Sequence, residues 1–449
     1  MRGLRSTIIL LAILLGVGWY AYHLSNKSPD DTSAKQEKVF DAVQADKIDE
    51  IRVKSATGDT TTVRKENGGW QIVDPIKAKA DDNEISGLTS ALAQLTVVRA
   101  IDDNPTDLKD YGLATPRIEI AFKTDADKAL SRKLLIGEKS PTGADLFAER
   151  NADKRVFLIP AFQETSFNRS TFDLRDKTVL KFDRDKVDGI EVSADGKVLQ
   201  LAKEGGDWKL TKPLQVRADF GAVEGLVGRL QTVQMKSVVT TEPTPADLKK
   251  YGLDKPADTV NVSMGSAKAT LLIGGKADDT AVYARDSSKP AVMTIESGLA
   301  DELKKGADDY RRKDIFEFRP YNANRLEISK GGQTLVFEKT KGQGDNAPDK
   351  WRRVSPKPAD ADKDKFDALL SRLSNMRATA FVTSIAKTGL DSPAMTVSVK
   401  FDDGKKDERV TFGKADNDAY ASRPGEPGAA KIDATDLNEA LKAIDELAK

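Results

Sequence analysis

The feature that most constrains this chain is a block of residues that occurs three times with the same spacing. Each copy starts at a Trp, has a Pro five residues later, and has an Ala-Asp pair beginning five residues after the Pro. The copies comprise Trp70, Pro75, Ala80 and Asp81; Trp208, Pro213, Ala218 and Asp219; and Trp351, Pro356, Ala361 and Asp362. Successive Trp residues lie about 140 positions apart, so each copy is long enough to enclose its own hydrophobic core. The sequence therefore predicts three tandem repeats of one domain.

A helix is predicted directly after each Asp of this block. The apolar residues begin four positions after the Asp and continue three, four, seven and ten positions further on, except that Thr89 takes one of these places in the first copy. They are Ile85, Leu88, Leu92 and Leu95; Val223, Leu226, Val227, Leu230 and Val233; and Phe366, Leu369, Leu370, Leu373 and Met376. The offsets of three, four and seven place residues on one face of an α-helix, which the preceding Asp can cap through its carboxylate.

Two further landmarks recur after the helix. The first is a turn built on Gly-Leu, and the second is a strand that we interpret as ending in Gly. The turns are Tyr111-Gly112-Leu113 with Pro116, Tyr251-Gly252-Leu253 with Pro256, and Thr388-Gly389-Leu390 with Pro393; the strands end at Gly137, Gly274 and Gly413. Alternating apolar segments and hairpin turns surround them. The predicted fold class is α+β, with three tandem repeats, mainly antiparallel sheets and one N-terminal transmembrane helix.

The predicted transmembrane helix spans Thr7 to Leu24, which contains no acidic or basic residue apart from the neutral His23. Eighteen helical residues extend about 27 Å, close to the ~30 Å hydrocarbon core of a bilayer. Arg2 and Arg5 precede the segment, so the positive-inside rule places the N-terminus in the cytoplasm. We expect a single-pass protein of the inner (cytoplasmic) membrane with its bulk outside the cytoplasm, in the periplasm if the cell is Gram-negative. The alternatives are a cleaved signal peptide, although no small-residue cleavage site follows, and a buried helix of a soluble domain.

These landmarks divide the chain into six predicted segments. They are a cytoplasmic N-terminus (1–6), a signal anchor (7–24), a polar flexible tether (25–38), and repeats at 39–180, 181–316 and 317–449.

Composition argues against several classes of function. Lys and Arg number 71, as do Asp and Glu, so the chain lacks the basic excess typical of nucleic-acid binders. There is no Cys, and His23 is the only His, which removes thiol nucleophiles, His-based triads and zinc sites of the usual ligands. We predict no enzyme activity, no catalytic or metal residues and no cofactor; a hydrolase using paired carboxylates is the weakest of our hypotheses.

Three sequence patterns resemble known types of binding site. The run Asp360–Asp364 suggests calcium, but an EF-hand loop would need Gly and Glu where Lys365 and Ser371 stand, so we interpret the run as a helix cap. Gly274-Gly275-Lys276 suggests a phosphate-binding loop without the remainder of that motif. The three Trp residues could be platforms for sugar or peptide, but their position before a helix favours core packing.

At these landmarks the chain resembles a bacterial family, the domain of unknown function 4340. The resemblance rests on the Trp-x4-Pro block, the Tyr-Gly-Leu turn, the Leu-Leu-Ile-Gly strand and the closing segment Leu174-Arg175-Asp176-Lys177, and it extends from about residue 40 to the end. The third copy departs most, with Thr388 in place of Tyr. The resemblance implies an envelope protein, in some members a companion of ABC transport systems, including ones linked to gliding motility. It implies no active-site residues.

Two functions remain open from the sequence. The first is a non-catalytic, membrane-anchored scaffold that binds other envelope or transporter proteins, as an accessory subunit of an ABC-type transport system. The second is an extracytoplasmic module that binds lipid or glycan in an apolar cleft.

Overall fold

The computed structural model of the protein describes residues 37–150, 153–342 and 349–449, together with residue 19. Apart from residue 19, the predicted anchor (7–24) therefore lies outside the described residues, as does nearly all of the predicted tether (25–38). Among the residues that are described, no helix combines the length and the hydropathy needed to cross a bilayer.

Each repeat folds into one nine-stranded antiparallel sheet. Repeat 1 comprises β1 (Ile48–Lys54), β2 (Thr60–Glu66), β3 (Gly69–Asp74), β4 (Ala78–Lys79), α1 (Asp82–Gln94), β5 (Arg99–Asp102), β6 (Ile118–Thr124), β7 (Arg132–Lys139), β8 (Asp145–Arg150), β9 (Val156–Pro160) and α2 (Glu164–Phe167). The strand order is β4-β3-β2-β1-β6-β7-β8-β9-β5. The chain thus forms β1 to β4 on one side of the sheet and continues through α1 to β5 at the opposite edge. It then returns to pair β6 with β1, and β7, β8 and β9 follow in order up to β5.

Repeats 2 and 3 have the same strand order as repeat 1. Repeat 2 comprises β10 (Gly189–Ala194), β11 (Lys197–Glu204), β12 (Asp207–Lys212), β13 (Val216–Arg217), α3 (Phe220–Thr232), β14 (Met235–Thr240), α4 (Pro245–Lys250), β15 (Asp258–Met264), β16 (Ala267–Asp278), β17 (Ala281–Asp286), β18 (Val292–Glu296), α5 (Ser297–Leu303) and α6 (Ala307–Tyr310). Repeat 3 comprises β19 (Ala323–Lys330), β20 (Gln333–Thr340), β21 (Lys350–Ser355), β22 (Ala359–Asp360), α7 (Lys363–Asn375), β23 (Ala378–Val382), β24 (Met395–Phe401), β25 (Lys406–Ala415), β26 (Asp418–Ser422), β27 (Ala429–Ile432) and α8 (Ala434–Ala448).

The prediction of three repeats with antiparallel sheets is confirmed, but the α+β class overstated the helix content. The described residues form a mostly β protein. Several stretches without clear alternation are short edge strands, such as β4 and β5, because pairing with a neighbouring strand supplies the order that local sequence does not specify.

The predicted helix caps are confirmed in all three repeats. The carboxylates of Asp81, Asp219 and Asp362 each accept hydrogen bonds from backbone N–H groups in the first turn of α1, α3 and α7. The last apolar residues of the three patterns, Leu95, Val233 and Met376, lie at the C-caps of these helices.

Of these residues, Leu95 and Met376 are buried and Val233 is half-buried, and all three have extended backbone just past the helix end. Their carbonyl oxygens accept the N–H groups of Val39, Val179 and Ile315, which belong to the segment leading into each repeat.

The chain divides into two compact units, residues 1–177 with repeat 1 and residues 178–449 with repeats 2 and 3. Within each repeat, apolar residues of the sheet and of the long helix fill a common core. In repeat 3, for example, Phe366 and Leu370 of α7 pack with Val397 and Phe412 of the sheet, and none of these four is more than 1% exposed.

Candidate functional site

The acidic run of repeat 3 forms a helix start, as predicted. Asp360 ends β22, Asp362 caps α7 by accepting the N–H of Lys365, and Asp364 lies in the first turn. Among the described residues, no group of three or more acidic or His side chains is arranged to hold a metal ion.

The Gly274-Gly275-Lys276 sequence lies inside β16 rather than at a strand end, which corrects our interpretation of this landmark. The strand register shifts here, between Ile273 and Lys276, and the N–H of Gly275 donates to the carbonyl oxygen of Tyr251 at 2.9 Å. Gly274 must lack a side chain because a Cβ would lie 2.1 Å from the same oxygen. The turn and the Gly-containing strand, which recur as separate landmarks in the sequence, therefore meet in one contact in the structure.

The three Trp residues occupy matching positions but differ in burial. Trp208 is 3% exposed, as expected for a core residue. Trp70 and Trp351 are only half-buried, although both pack against the cores of their repeats. Trp351 contacts Phe366 with ring centroids 4.7 Å apart. The prediction of three buried indoles is thus confirmed for Trp208 and too strong for the other two.

Trp208 is covered by a pair of charged residues. Its indole N–H donates to Glu224 at 3.0 Å, and Arg184 forms an ion pair with the same carboxylate at 3.1 Å. Burial by itself raises the pKa of Glu224, but the bonds from Trp208 and Arg184 outweigh it and the net pKa is lowered. The Glu224 carboxylate therefore stays ionised, and together with Arg184 it shields Trp208 from solvent.

In repeat 3 the residues at these two covering positions are different. Pro320 stands where repeat 2 has Arg184, and Asp367 stands where it has Glu224. Asp367 pairs with Lys363 at 3.0 Å instead, and the Trp351 indole N–H makes no hydrogen bond to a described residue. A groove of about 420 Å³ results, with Trp351 and Pro320 among its lining residues. This groove, which we call the Trp351 groove, is the candidate binding site.

The comparison with protein families agrees with the repeat structure. The family model described as "Domain of unknown function (DUF4340)" matches residues 70–209, 208–393 and 351–449, which is more than half of the chain in three successive segments. The chain belongs to the DUF4340 family. The comparison with curated proteins gives no match.

Solved structures show only a distant likeness to this DUF4340 chain. The DNA polymerase sliding clamp from Pseudomonas aeruginosa is 7% identical, with 87% of this chain and 92% of that chain covered and a TM-score of 0.17. A putative DNA polymerase III beta subunit from Eubacterium rectale is also 7% identical, with 86% and 90% covered and a TM-score of 0.18. Such scores assign no partner and no activity to the DUF4340 repeats.

A charged junction connects the second and third DUF4340 repeats within their common unit. Arg217 at the end of β13 donates to Glu426 at 2.6 Å and lies 3.3 Å from Glu317. Arg311, just after α6, stacks its guanidinium 3.7 Å from the ring centroid of Phe381 in β23. These contacts join side chains of repeat 2 to side chains of repeat 3.

The electrostatics of this junction favour ionised carboxylates. Burial alone raises the pKa of Glu317, but the guanidinium groups of Arg217, Arg312 and Arg423 outweigh it and lower the net pKa. Behind this layer, Arg423 forms an ion pair at 2.6 Å with Glu408, whose side chain is 2% exposed. Across the junction, Arg217 pairs with Glu317 and Glu426, so separating the repeats would leave partly buried charges without their partners.

Repeat 2 also contains a buried acid that sequence reasoning missed. Asp258 begins β15 and is 3% exposed, and its Oδ1 atom has no hydrogen-bond partner among the described residues. Burial raises the pKa of Asp258, and the nearby charge of Lys304 only partly opposes this. The equivalent positions hold Ile118 and Met395, both core residues. Aligning the three repeats strand by strand would have exposed this exception.

Proposed function

We propose that this DUF4340 chain is a non-catalytic, membrane-anchored scaffold whose repeats bind another envelope protein outside the cytoplasm. The observation that carries the proposal is the junction between repeats 2 and 3. Arg217, Glu317, Arg311 and Phe381 hold two domains as one compact unit. A scaffold needs such coupling, because a rigid surface loses less conformational entropy when a partner binds.

The nature of the partner follows from the proposed anchor and from the family resemblance. A permease of an ABC-type transport system spans the same membrane and would be reached by a protein tethered through residues 25–38. Holding both proteins on one membrane raises their effective concentration, so a modest surface affinity is sufficient for a stable complex.

The experiment is cross-linking in intact cells at native expression, followed by detergent purification of the full chain. We expect cross-links from lysines of the repeats to one multi-spanning membrane protein. A chain that keeps residues 1–38 but carries an unrelated soluble domain is the matched control, because it preserves the anchor and removes the repeats. Recovery of the full chain alone, or equal cross-linking by the control, would overturn the proposal.

The second candidate is a ligand-binding module. In repeats 1 and 3 the apolar side chains of the sheet and the long helix pack against one another in a common core, which gives no support to the lipid arm of this hypothesis. The Trp351 groove is the specific observation that supports the other arm of this hypothesis, a glycan.

A further inference from the structure

The Trp351 groove exists because repeat 3 lacks an ion pair like that of Arg184 and Glu224, which shields Trp208 in repeat 2. Glu224 follows Trp208 by the same number of residues as Asp367 follows Trp351. Arg184 and Pro320 likewise precede the equivalent strand residues Ile190 and Leu326 by the same distance. Asp is one methylene shorter than Glu, and Pro has no charge, so this pair cannot reproduce the bonds that shield Trp208.

The chemical character of the groove is polar but electrically balanced. Its lining includes three lysines and three aspartates, namely Lys339, Lys350, Lys363, Asp349, Asp360 and Asp367. Equal numbers of cations and anions around one groove give no net attraction for a charged ligand. They do provide many donors and acceptors at the rim for a neutral ligand rich in hydroxyl groups.

The floor of the groove adds an ordered aromatic surface. Phe366, which is fully buried, packs against the Trp351 ring and fixes its orientation before any ligand arrives. The ammonium group of Lys339 lies 5.6 Å from the ring centroid but leaves the indole half-exposed. The indole offers an apolar, electron-rich face together with an N–H donor that no described residue uses.

We propose that the Trp351 groove binds a short stretch of uncharged glycan. A pyranose ring matches the site because it presents polarised C–H groups on one face and hydroxyl groups around its edge. The C–H face packs on the indole, the N–H of Trp351 donates to a sugar oxygen, and the rim aspartates and lysines bind the hydroxyls. The volume of about 420 Å³ lies within the range of about 300–1,000 Å³ found for small-ligand sites.

This inference does not depend on the scaffold proposal, because the groove is open whether or not the repeats hold a protein partner. If the repeats face the cell wall, a glycan contact would give repeat 3 a second point of attachment.

The first test is calorimetric titration of the detergent-solubilised full chain with defined oligomers. The hexamers of N-acetylglucosamine and of glucose serve as neutral probes. The deacetylated form of the N-acetylglucosamine hexamer is the cationic probe, and a galacturonate hexamer is the anionic probe. We expect saturable binding of at least one neutral hexamer and at least tenfold weaker binding of both charged ones. Binding of neither neutral hexamer, or stronger binding of a charged one, overturns the proposal.

The second test rebuilds the missing cover. The double variant Pro320→Arg with Asp367→Glu places the covering pair of repeat 2 over Trp351, and we expect it to weaken glycan binding at least tenfold while the thermal midpoint is unchanged or raised. Trp351→Ala should weaken binding to a similar extent. Trp208→Phe is the matched control, since it alters a buried Trp and should leave binding unchanged. Full binding by the folded double variant, or loss of binding in the control without unfolding, contradicts the assignment to this groove.

Discussion

The backbone of Gly274 passes so close to Tyr251 that a Cβ on Gly274 would lie 2.1 Å from the Tyr251 carbonyl oxygen. The same approach recurs at Gly137 with Tyr111, and at Gly413 with Thr388. This contact holds the turn against the sheet in every repeat, including the third, where the aromatic residue of the turn is lost. The contact is made by backbone atoms, which explains why Thr can replace Tyr.

Gly274→Ala should therefore destabilise the second unit by about 2–3 kcal/mol, because the added methyl group meets backbone that cannot rotate away. Urea unfolding followed by circular dichroism measures the change. The control is Gly225→Ala, at an exposed helical position with nothing within 4 Å of the new Cβ, where we expect a gain of about 0.5–1 kcal/mol. Equal effects of the two substitutions would show that the close approach does not constrain the fold.

The Trp residues should differ in their contribution to stability. Trp208→Ala removes a fully buried ring and leaves Glu224 without its indole donor, so we expect a loss of about 3–5 kcal/mol. Trp351→Ala removes a half-buried ring without a hydrogen bond to a described residue and should cost about half as much. Thermal unfolding of both variants gives the comparison, and an equal or larger loss for Trp351→Ala would assign that side chain to the core.

Replacing the buried Asp258 by an apolar residue should stabilise the protein. Asp258→Ile restores the residue type of Ile118 and should stabilise the second unit by about 1–3 kcal/mol at pH 7, because a buried carboxyl without full hydrogen bonding is removed. The pKa of Asp258 is raised in the folded state, so the folded protein holds this proton more tightly than the unfolded chain.

Its contribution to stability is therefore greatest below the unfolded pKa of about 3.9 and declines as the pH rises toward the folded value. The advantage of Asp258→Ile over the wild type should grow with pH across that window. Denaturant titrations at several pH values check this, and an advantage that shrinks with rising pH would refute it. The reciprocal change Ile118→Asp should be strongly destabilising.

The junction should have the opposite dependence on pH. The pKa of Glu317 is lowered in the folded state, so its stabilising effect is present above an unfolded pKa of about 4.3 and is lost as the pH falls through the folded value. Glu317→Gln should cost about 1–2 kcal/mol at pH 7 and progressively less in acid. Calorimetry at neutral and acidic pH measures both. Glu327→Gln is the control that should change little, because this side chain is 43% exposed and its pair with Arg325 spans 3.6 Å. A cost for Glu317→Gln that is independent of pH would exclude the ionic account.

The sequence predicted the features that each repeat carries in its own local pattern. Asp81, Asp219 and Asp362 cap helices because the capping bond spans only a few residues, and helical spacing identified Leu88, Leu226 and Leu369 as buried residues. The short edge strands could not be predicted, because their order comes from a partner far along the chain. The burial of Trp351 was overestimated for a similar reason. Its exposure depends on the residues at positions 320 and 367, and only comparison with Arg184 and Glu224 of repeat 2 shows that the shielding ion pair is missing.

An envelope scaffold requires that the three repeats lie outside the cytoplasm. A full-length chain carrying alkaline phosphatase after Lys449 tests this directly, with green fluorescent protein at the same site as the matched control. We predict active phosphatase, no fluorescence from the GFP fusion, and a chain that retains residues 7–24 and stays in the membrane after a carbonate wash. Inactive phosphatase with a fluorescent GFP fusion would place the repeats in the cytoplasm and contradict the envelope scaffold.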